Sequence, residues 1–197
     1  ELAILGLGGI GLSTAIALRK RLPDLRLHVY DSRPEVLDKA RMHLNGSVVY
    51  HQSERDIFGA TPLIVSAITG QLDPYSLGDV EGTVVIDDSQ PGSVPQKEFK
   101  ELGGYVVGVY VDGGELTRRN TFDYAGYCAV DPTSTFSCHA NVAAMAQLIL
   151  ADREKYCFRR AVKPDDVDNV AELFKNTGVE LSPLQWGWGG YHDGIAA

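Results

Sequence analysis

Short apolar runs alternate with amphipathic stretches through the first half of the chain. Runs of this kind are typical of strands, whereas apolar residues at a spacing of three and four indicate helices. The runs predict strands over residues 2–7, 25–30, 48–50, 63–68, 84–87 and 105–111. The stretches between them predict helices over residues 13–22, 34–44 and 94–102. Strands that alternate with helices predict an α/β fold built on a doubly wound, mostly parallel sheet.

The pattern changes after residue 112. A helix is predicted from Ser137 to about residue 152 and another over residues 164–176, and the chain ends in a stretch rich in glycine and aromatic residues. We predict a sheet domain over residues 1–152, followed by C-terminal helices and an aromatic tail over residues 153–197. The abrupt start inside a strand also predicts that an N-terminal substrate domain precedes Glu1 in the parent protein.

A glycine pattern marks the junction of the first predicted strand and helix. Gly6, Gly8 and Gly11 are spaced as G-x-G-x-x-G, and Asp31 ends the next strand twenty residues after Gly11. Gly6 permits a tight turn, Gly8 lets the backbone approach a pyrophosphate, and Gly11 lets the helix pack close to the strand. In this context the pattern predicts a dinucleotide site in a Rossmann-type fold.

The same motif predicts the cofactor. Backbone N–H groups at the helix start, including those of Gly9 and Ile10, and the positive end of the helix dipole would receive the phosphates. Asp31 is placed to accept hydrogen bonds from ribose hydroxyls and would repel a 2′-phosphate. The sequence therefore favours NAD, while Arg33 leaves NADP open. The alternative is a glycine-rich turn that binds nothing.

Two further strand ends are polar. Ser66 and Ala67 lie at the end of one apolar run, and Asp87, Asp88 and Ser89 lie at the end of another. Ligands of parallel sheets lie at these strand ends, so we predict that these residues, above all Ser66, Ala67 and Asp88, line the ribose and nicotinamide. Ordinary turn and capping chemistry explains the same residues equally well, and both interpretations stay open.

Cys138 and His139 are the catalytic candidates. Ser137 is a candidate N-cap, which would place the Cys138 thiol in the first turn of a helix, where the helix dipole favours the thiolate. His139 is a candidate acid or base, although neighbouring residues of a helix do not face each other. Cysteine is also among the most buried residue types, so a structural role for Cys138 stays open.

Five segments carry a resemblance to a known family. With GLGGIGLSTA, VVIDDSQP, VDGGEL, AVDPTSTFSCHANVAAMAQLIL and KYCFRRAVKPDDVDNVAELFKNTG, the chain resembles the acyl-(acyl carrier protein) reductases and the related predicted amino-acid dehydrogenases. The resemblance implies that Cys138 attacks an acyl thioester and that a nicotinamide cofactor then reduces the acyl-enzyme to an aldehyde. Asn141 stands where that family commonly has an acidic residue.

Two other functions compete with this interpretation. The first is an NAD(P)-dependent dehydrogenase of the shikimate or amino-acid type, in which Cys138 is structural. The second is a non-catalytic module that senses a dinucleotide or docks a partner, for which the tail residues Trp186, Trp188 and Tyr191 are the best support.

Composition limits the classes of partner that the protein is expected to bind. A net charge of -8 and a pI near 5.0 argue against nucleic acid, and no apolar run approaches the length of a membrane span. Three cysteines without a secretion signal favour the cytoplasm, and their spacing predicts no metal site. The predicted partner is a small-molecule or carrier-bound acyl substrate, and a homo-oligomer stays open.

Overall fold

The computed structural model describes residues 1–89, 92–108, 111–112, 134–135, 164–181 and 185–186. The chain divides into two compact units, Glu1–Val107 and Gly108–Ala197. The domain boundary predicted near residue 152 lies outside the described residues, so it stays a prediction.

The first unit alternates strands and helices as the sequence predicts. Its strands are β1 (Leu2–Leu5), β2 (Leu27–Tyr30), β3 (Val48–Tyr50), β4 (Leu63–Ser66), β5 (Val84–Asp87) and β6 (Tyr105–Gly108). Its α-helices are α1 (Gly9–Arg21), α2 (Pro34–His43), α3 (Glu54–Phe58) and α4 (Gln96–Glu101). A single turn of 3-10 helix covers Pro74–Ser76.

The strands of this unit lie in the order β6-β5-β4-β1-β2-β3. The pairs β1–β2, β1–β4, β2–β3 and β4–β5 are all parallel. The chain therefore winds one way from β1 to β3 and the other way from β4 to β6. The predicted doubly wound, mostly parallel Rossmann-type sheet is confirmed, and its strand order reverses between β1 and β4.

Successive residues of each strand face opposite sides of the sheet, and helices cover both sides. On one side, strand residues pack with the inner faces of α1 and α2 in a cluster that contains Ile4, Leu12, Ala15, Leu27, Val29, Leu37 and Ala40. On the other side, α3 and α4 complete a cluster that contains Ala3, Leu5, Ile57, Phe58, Ile64, Val85 and Phe99. The two layers hold all strand ends rigidly at one edge, here called the carboxyl edge.

Several predicted boundaries were wrong. Helix α1 begins at Gly9 and not at Ser13, because the glycines that were assigned to a loop form its first turn. The short helix α3 was missed, since five residues are too few to show a helical period, although Ser53 caps it by accepting from the Asp56 N–H. Strand β6 is described as far as Gly108 and the next strand begins at Val111, whereas residues 109 and 110 of the predicted strand lie outside the described residues.

The second unit contributes short described elements. Strands β7 (Val111–Asp112), β8 (Ser134–Thr135) and β9 (Glu180–Leu181) form an antiparallel sheet with β7 in the centre. Helix α5 (Pro164–Thr177) agrees with the predicted helix over residues 164–176, and β10 covers Gln185–Trp186. Cys138, His139 and the helix predicted from Ser137 lie outside the described residues. In the parts of the chain that the structure describes, no helix is long and apolar enough to cross a membrane.

Candidate functional site

The turn that leaves β1 accepts only glycine at its first position. Gly6 has a φ of 87°, in the left-handed region, and its N–H donates to the Tyr30 carbonyl oxygen over 2.8 Å. A Cβ at this position would lie 2.7 Å from the carbonyl oxygen of Ala67. Strain and crowding therefore both exclude a side chain at Gly6.

Gly11 brings the helix against the strand. A Cβ built on Gly11 would collide with the carbonyl oxygen of Gly6, and Gly11 is buried in the first turn of α1. The glycine thus lets α1 start directly behind the end of β1. This is the close packing that the spacing of the motif predicts.

The outer side of the same loop is open. Gly8 is the N-cap of α1 and makes no side-chain capping bond, and a Cβ at Gly9 would have nothing within 4 Å. Ile10 is 59% exposed beside them. The first turn of this 13-residue helix holds no acidic residue. Backbone N–H groups and the positive end of the helix dipole thus face an open surface, which suits a phosphate.

Asp31 lies next to this surface at the end of β2. Its side chain is only 5% exposed, and its Oδ2 accepts from the Leu7 backbone N–H over 2.8 Å. Its Oδ1 accepts from the backbone N–H and from Nε of Arg33, both over 3.0 Å, and Arg33 Nη2 donates to Oδ2 over 3.2 Å. The carboxylate therefore ties the glycine loop to the start of α2.

These bonds set the charge of Asp31. Burial raises the pKa of the carboxyl, but the hydrogen bond from the Arg33 side chain, the backbone N–H groups of Leu7 and Arg33, and the guanidinium charge together lower it below its usual value. The same ion pair raises the pKa of Arg33. Both groups are consequently charged at neutral pH.

Arg33 stands over the glycine loop. Its side chain is 56% exposed, and Nη2 lies 3.9 Å from the position that a Gly8 Cβ would take. A carboxylate offers about four acceptor positions, and the four bonds from Leu7 and Arg33 fill those of Asp31. A ribose hydroxyl would therefore reach Asp31 only after the guanidinium has moved, whereas a phosphate would meet the guanidinium where it is.

The strand ends next to the loop are those of β4 and β5. The register pairs Leu5 with Ser66 and Ser66 with Asp87, so Gly6, Ala67 and Asp88 follow one another along the carboxyl edge. The Ala67 N–H donates to the Leu5 carbonyl, and the Asp88 N–H donates to the Ser66 carbonyl over 3.0 Å. Parallel pairing therefore continues one residue beyond the strands and brings the predicted residues into one row.

Ser66 itself is turned into the protein. It is fully buried, and its hydroxyl lies 2.8 Å from the hydroxyl of Ser93. In this structure the Ser66 side chain supports the loop that follows β5. The ligand contact that the sequence assigns to Ser66 stays a prediction.

Asp87 is a residue whose role sequence reasoning missed. This buried carboxylate accepts from the backbone N–H groups of Ser89, Ser93 and Val94 over 3.0, 2.7 and 3.1 Å, and from the Ser93 hydroxyl over 3.0 Å. It thereby fixes both ends of the loop that leaves β5. The available signal was the acidic pair at a strand end followed by serines, which sequence reasoning assigned to turn chemistry or to ligand contact.

Asp88 differs from its neighbour in exposure. It is partly exposed, and burial together with the charge of Asp87 raises the pKa of its carboxyl above the usual value. Beside it the Ser89 hydroxyl is buried and has no hydrogen-bond partner among the described residues. Asp88 is thus a carboxyl group at the carboxyl edge that takes up a proton more readily than an ordinary aspartate.

The described residues contain no cluster of three or more His, Cys, Asp or Glu side chains arranged to hold a metal ion. What they do bring together at the carboxyl edge is the glycine loop, the start of α1, the Asp31–Arg33 pair and the row that ends at Asp88. Cys138 and His139 lie outside the described residues, so their position relative to this edge stays a prediction.

Comparisons with known proteins found distant structural similarities, which carry no argument on function. No protein-family model matches the chain, and no curated protein matches it. Among solved structures it is similar to a 3-hydroxyisobutyrate dehydrogenase from Salmonella typhimurium, with 15% identity, a TM-score of 0.42 and coverage of 60% of this chain and 44% of that one. It is also similar to a UDP-glucose dehydrogenase from Pyrobaculum islandicum, with 19% identity, a TM-score of 0.38 and coverage of 55% and 35%.

A lactate dehydrogenase from Eimeria maxima, solved with NADH and oxamate, matches with 12% identity and a TM-score of 0.41. That match covers 92% of this chain and 70% of the other. The chain therefore spans less than half the length of the first two of these proteins. Identities and TM-scores this low carry no information on function.

Proposed function

We propose that the first unit binds a nicotinamide dinucleotide and serves as the cofactor-binding part of an oxidoreductase. The observation that carries the proposal is the open glycine loop at the start of α1, where Gly8 and Gly9 leave room for a phosphate. The loop also lies beside β1 and β4, where the strand order reverses, which is where ligands bind in sheets of this kind. When bound, the nicotinamide ring donates or accepts a hydride.

The protein's own residues would divide the remaining tasks. Backbone N–H groups of α1 would hold the pyrophosphate, and Asp31 would orient the adenosine ribose once the Arg33 guanidinium has moved aside. NAD is the cofactor that Asp31 favours, and Arg33 gives NADP a second way to bind, since its guanidinium already neutralises the carboxylate.

Arg33→Ala tests this assignment. The change removes the cation that would face a 2′-phosphate and frees the Asp31 carboxylate for ribose hydroxyls. We expect the affinity for NADPH to fall about tenfold or more, because charge-assisted hydrogen bonds contribute about 1.5–3 kcal/mol, and the affinity for NADH to stay equal or rise. Titrations followed by calorimetry or by the fluorescence of the reduced ring give both constants.

Arg26→Ala is the matched control, since Arg26 is an exposed arginine that pairs with Glu1 at the opposite end of β2. It should change neither constant. A protein that binds neither NADH nor NADPH would contradict the proposal as a whole. Equal losses for both dinucleotides in Arg33→Ala would contradict only the division of roles between Asp31 and Arg33.

For the reaction we propose the reduction of an acyl thioester to an aldehyde through an acyl-enzyme on Cys138. The support is the resemblance of residues 129–150 to the acyl-(acyl carrier protein) reductases, together with the predicted helix start at Ser137. A thiolate at a helix start is a good nucleophile, and the acyl thioester it forms is a good hydride acceptor.

Alkylation by iodoacetamide across pH 5 to 9, with each cysteine resolved by mass spectrometry, tests the role of Cys138. We expect Cys138 to react with a pKa well below the ~8.5 of an ordinary thiol, while Cys128 and Cys157 serve as internal controls. A Cys138 that reacts only after unfolding would favour the plain dehydrogenase. Dinucleotide binding without selective thiol chemistry or turnover would favour the non-catalytic module.

A further inference from the structure

The position of Asp88 along the carboxyl edge assigns it to one end of the proposed dinucleotide site. Asp31 marks the ribose at the end of β2, on one side of the glycine loop. The pyrophosphate occupies the loop, so the second nucleoside must extend the other way, over β4 and β5. With strands about 4.8 Å apart, Asp88 lies about 10 Å along the edge from Gly6, within reach of the nicotinamide half.

The backbone of Asp88 is held in place from both sides. Its N–H donates to the Ser66 carbonyl over 3.0 Å, and Asp87 immediately before it anchors the loop with four hydrogen bonds. The side chain is partly exposed, while the neighbouring Ser89 hydroxyl is buried and lacks a partner among the described residues. A partly exposed carboxyl group with an anchored backbone and a buried, unsatisfied hydroxyl thus follow one another in the chain at the end of β5.

We propose that Asp88 is the carboxyl group that exchanges a proton with the substrate during hydride transfer. This inference rests on the proposed function of the glycine loop. In the direction of reduction, a bound nicotinamide would supply a hydride to the carbonyl carbon of the substrate, and the carbonyl oxygen would take the proton of the Asp88 carboxylic acid. From a thioester this addition gives a hemithioacetal, which breaks its C–S bond to release the thiol and the aldehyde. Asp88 would be left as a carboxylate and would recover a proton from solvent. In the direction of oxidation the carboxylate accepts the hydroxyl proton.

Two effects, burial and the charge of Asp87, set the protonation of Asp88 in the described structure. Burial and the negative charge of Asp87 both disfavour the carboxylate and raise the pKa of Asp88. The protonated form that reduction requires is therefore populated at a higher pH than in an ordinary aspartate. A positively charged nicotinamide ring beside Asp88 would favour the carboxylate, so that Asp88 would give up its proton more readily once the hydride has been transferred.

The test compares the affinities for NAD⁺ and NADH across pH 4 to 8 by calorimetry. If Asp88 lies beside the ring, its pKa is lower in the NAD⁺ complex, and NAD⁺ gains affinity relative to NADH as the pH rises. A difference of one pKa unit gives about a tenfold change in the ratio of the two dissociation constants. In Asp88→Asn the ratio should be independent of pH, whereas the control Asp24→Asn, at the amino end of β2, should behave as the wild type.

A second measurement follows the protonation of Asp88 in the wild-type chain itself and needs the variant only for assignment. The ¹³C resonance of the Asp88 carboxyl group, assigned by its loss in Asp88→Asn, reports its protonation in the NAD⁺ and NADH complexes of the wild-type chain. Different titration midpoints in the two complexes support the proposal. Equal midpoints, or an affinity ratio with the same pH dependence in wild type and Asp88→Asn, overturn it. If the wild-type chain binds neither NAD⁺ nor NADH, the proposed function of the loop is overturned.

Discussion

Two aspartates at the carboxyl edge, Asp31 and Asp88, have pKa values that their neighbours shift in opposite directions. Both are shielded from solvent to some extent, but Asp31 receives four hydrogen bonds, two of them from a guanidinium, and its pKa is lowered. Asp88 lies next to another carboxylate, and its pKa is raised. A permanently charged group suits recognition of hydroxyls, whereas a group that changes its charge suits proton transfer.

The bonds of Asp31 make the stability of the chain depend on pH. Because the folded-state pKa of Asp31 lies below the unfolded value, its contribution to stability is fully present above the unfolded-state pKa and is lost as the pH falls through the folded-state pKa. Asp31→Asn should therefore lower the free energy of unfolding at pH 7 by about 1–3 kcal/mol. The deficit should shrink as the pH falls, as measured by urea unfolding followed by circular dichroism.

Asp24→Asn, at an exposed aspartate between α1 and β2, serves as the reference and should follow the wild type at every pH. A deficit of Asp31→Asn that is the same at pH 7 and pH 3 would show that the charge of Asp31 is not what stabilises the fold.

Among elements, the described residues on both sides of the loop after β5 are joined by a single side chain, that of Asp87. Asp87 accepts bonds from three backbone N–H groups and one hydroxyl, and the Ser66 and Ser93 hydroxyls join the same network below it. Because these groups are buried, each one needs a partner within the protein. Asp87 consequently fixes the backbone directly after Asp88, at Ser89, and the backbone where the loop returns, at Ser93 and Val94.

Asp87→Asn should disrupt the hydrogen bonds that Asp87 accepts from Ser89, Ser93 and Val94. In this variant an NH₂ group replaces one carboxylate oxygen. If it replaces Oδ2, it faces the N–H groups of Ser93 and Val94, which are donors themselves, so their buried hydrogen bonds are lost. We expect a loss of about 2–4 kcal/mol in the free energy of unfolding. Asp73→Asn, whose side chain accepts one N–H bond at an exposed 3-10 turn, should cost much less, since Asn and Asp cap almost equally well. Equal costs for the two variants would contradict the assigned role of Asp87.

The sequence predicted elements best where apolar runs are bounded by turn residues. Strands β3 and β5 have the predicted bounds, since polar or glycine residues flank each run. The start of α1 was wrong because a glycine in the first turn of a helix looks like a loop residue. Helix α3 is one and a half turns long and shows no period.

The candidate site was predictable in position more than in its interactions. The spacing of the glycines with Asp31 placed the loop, because each of these positions has its own steric or chemical requirement. The guanidinium of Arg33 over Gly8 and the network of Asp87 depend on side-chain conformations that arise only in the folded chain. Sequence spacing alone does not contain them.

At the scale of the whole molecule, the negative net charge of the chain repels the proposed ligand. The chain carries a net charge of -8, and a dinucleotide is itself an anion. Salt screens this repulsion beyond about 8–10 Å, so affinity must come from local groups. The described local groups are the N–H donors of α1, the positive end of its dipole and the Arg33 guanidinium. Binding should therefore strengthen with moderate salt if long-range repulsion dominates and weaken if the contact with Arg33 dominates.

The two units also divide the predicted tasks. The first unit contains the loop, Asp31 and Asp88, whereas the proposed nucleophile Cys138 belongs to the second. Variants of residues in the first unit can therefore be tested for dinucleotide binding before the substrate is known.

The most direct test of the central claim is the affinity for NADH of Gly8→Ala beside that of Gly59→Ala. Both positions accept a methyl group in the structure, since the nearest atom to the added Cβ lies 3.9 Å away at Gly8 and 3.6 Å away at Gly59, so both variants should unfold like the wild type. Only the methyl group at Gly8 would keep a pyrophosphate from the backbone, so we predict a loss of about tenfold or more in NADH affinity for Gly8→Ala and none for Gly59→Ala. Unchanged NADH affinity in a stable Gly8→Ala would contradict the claim that this loop holds the dinucleotide.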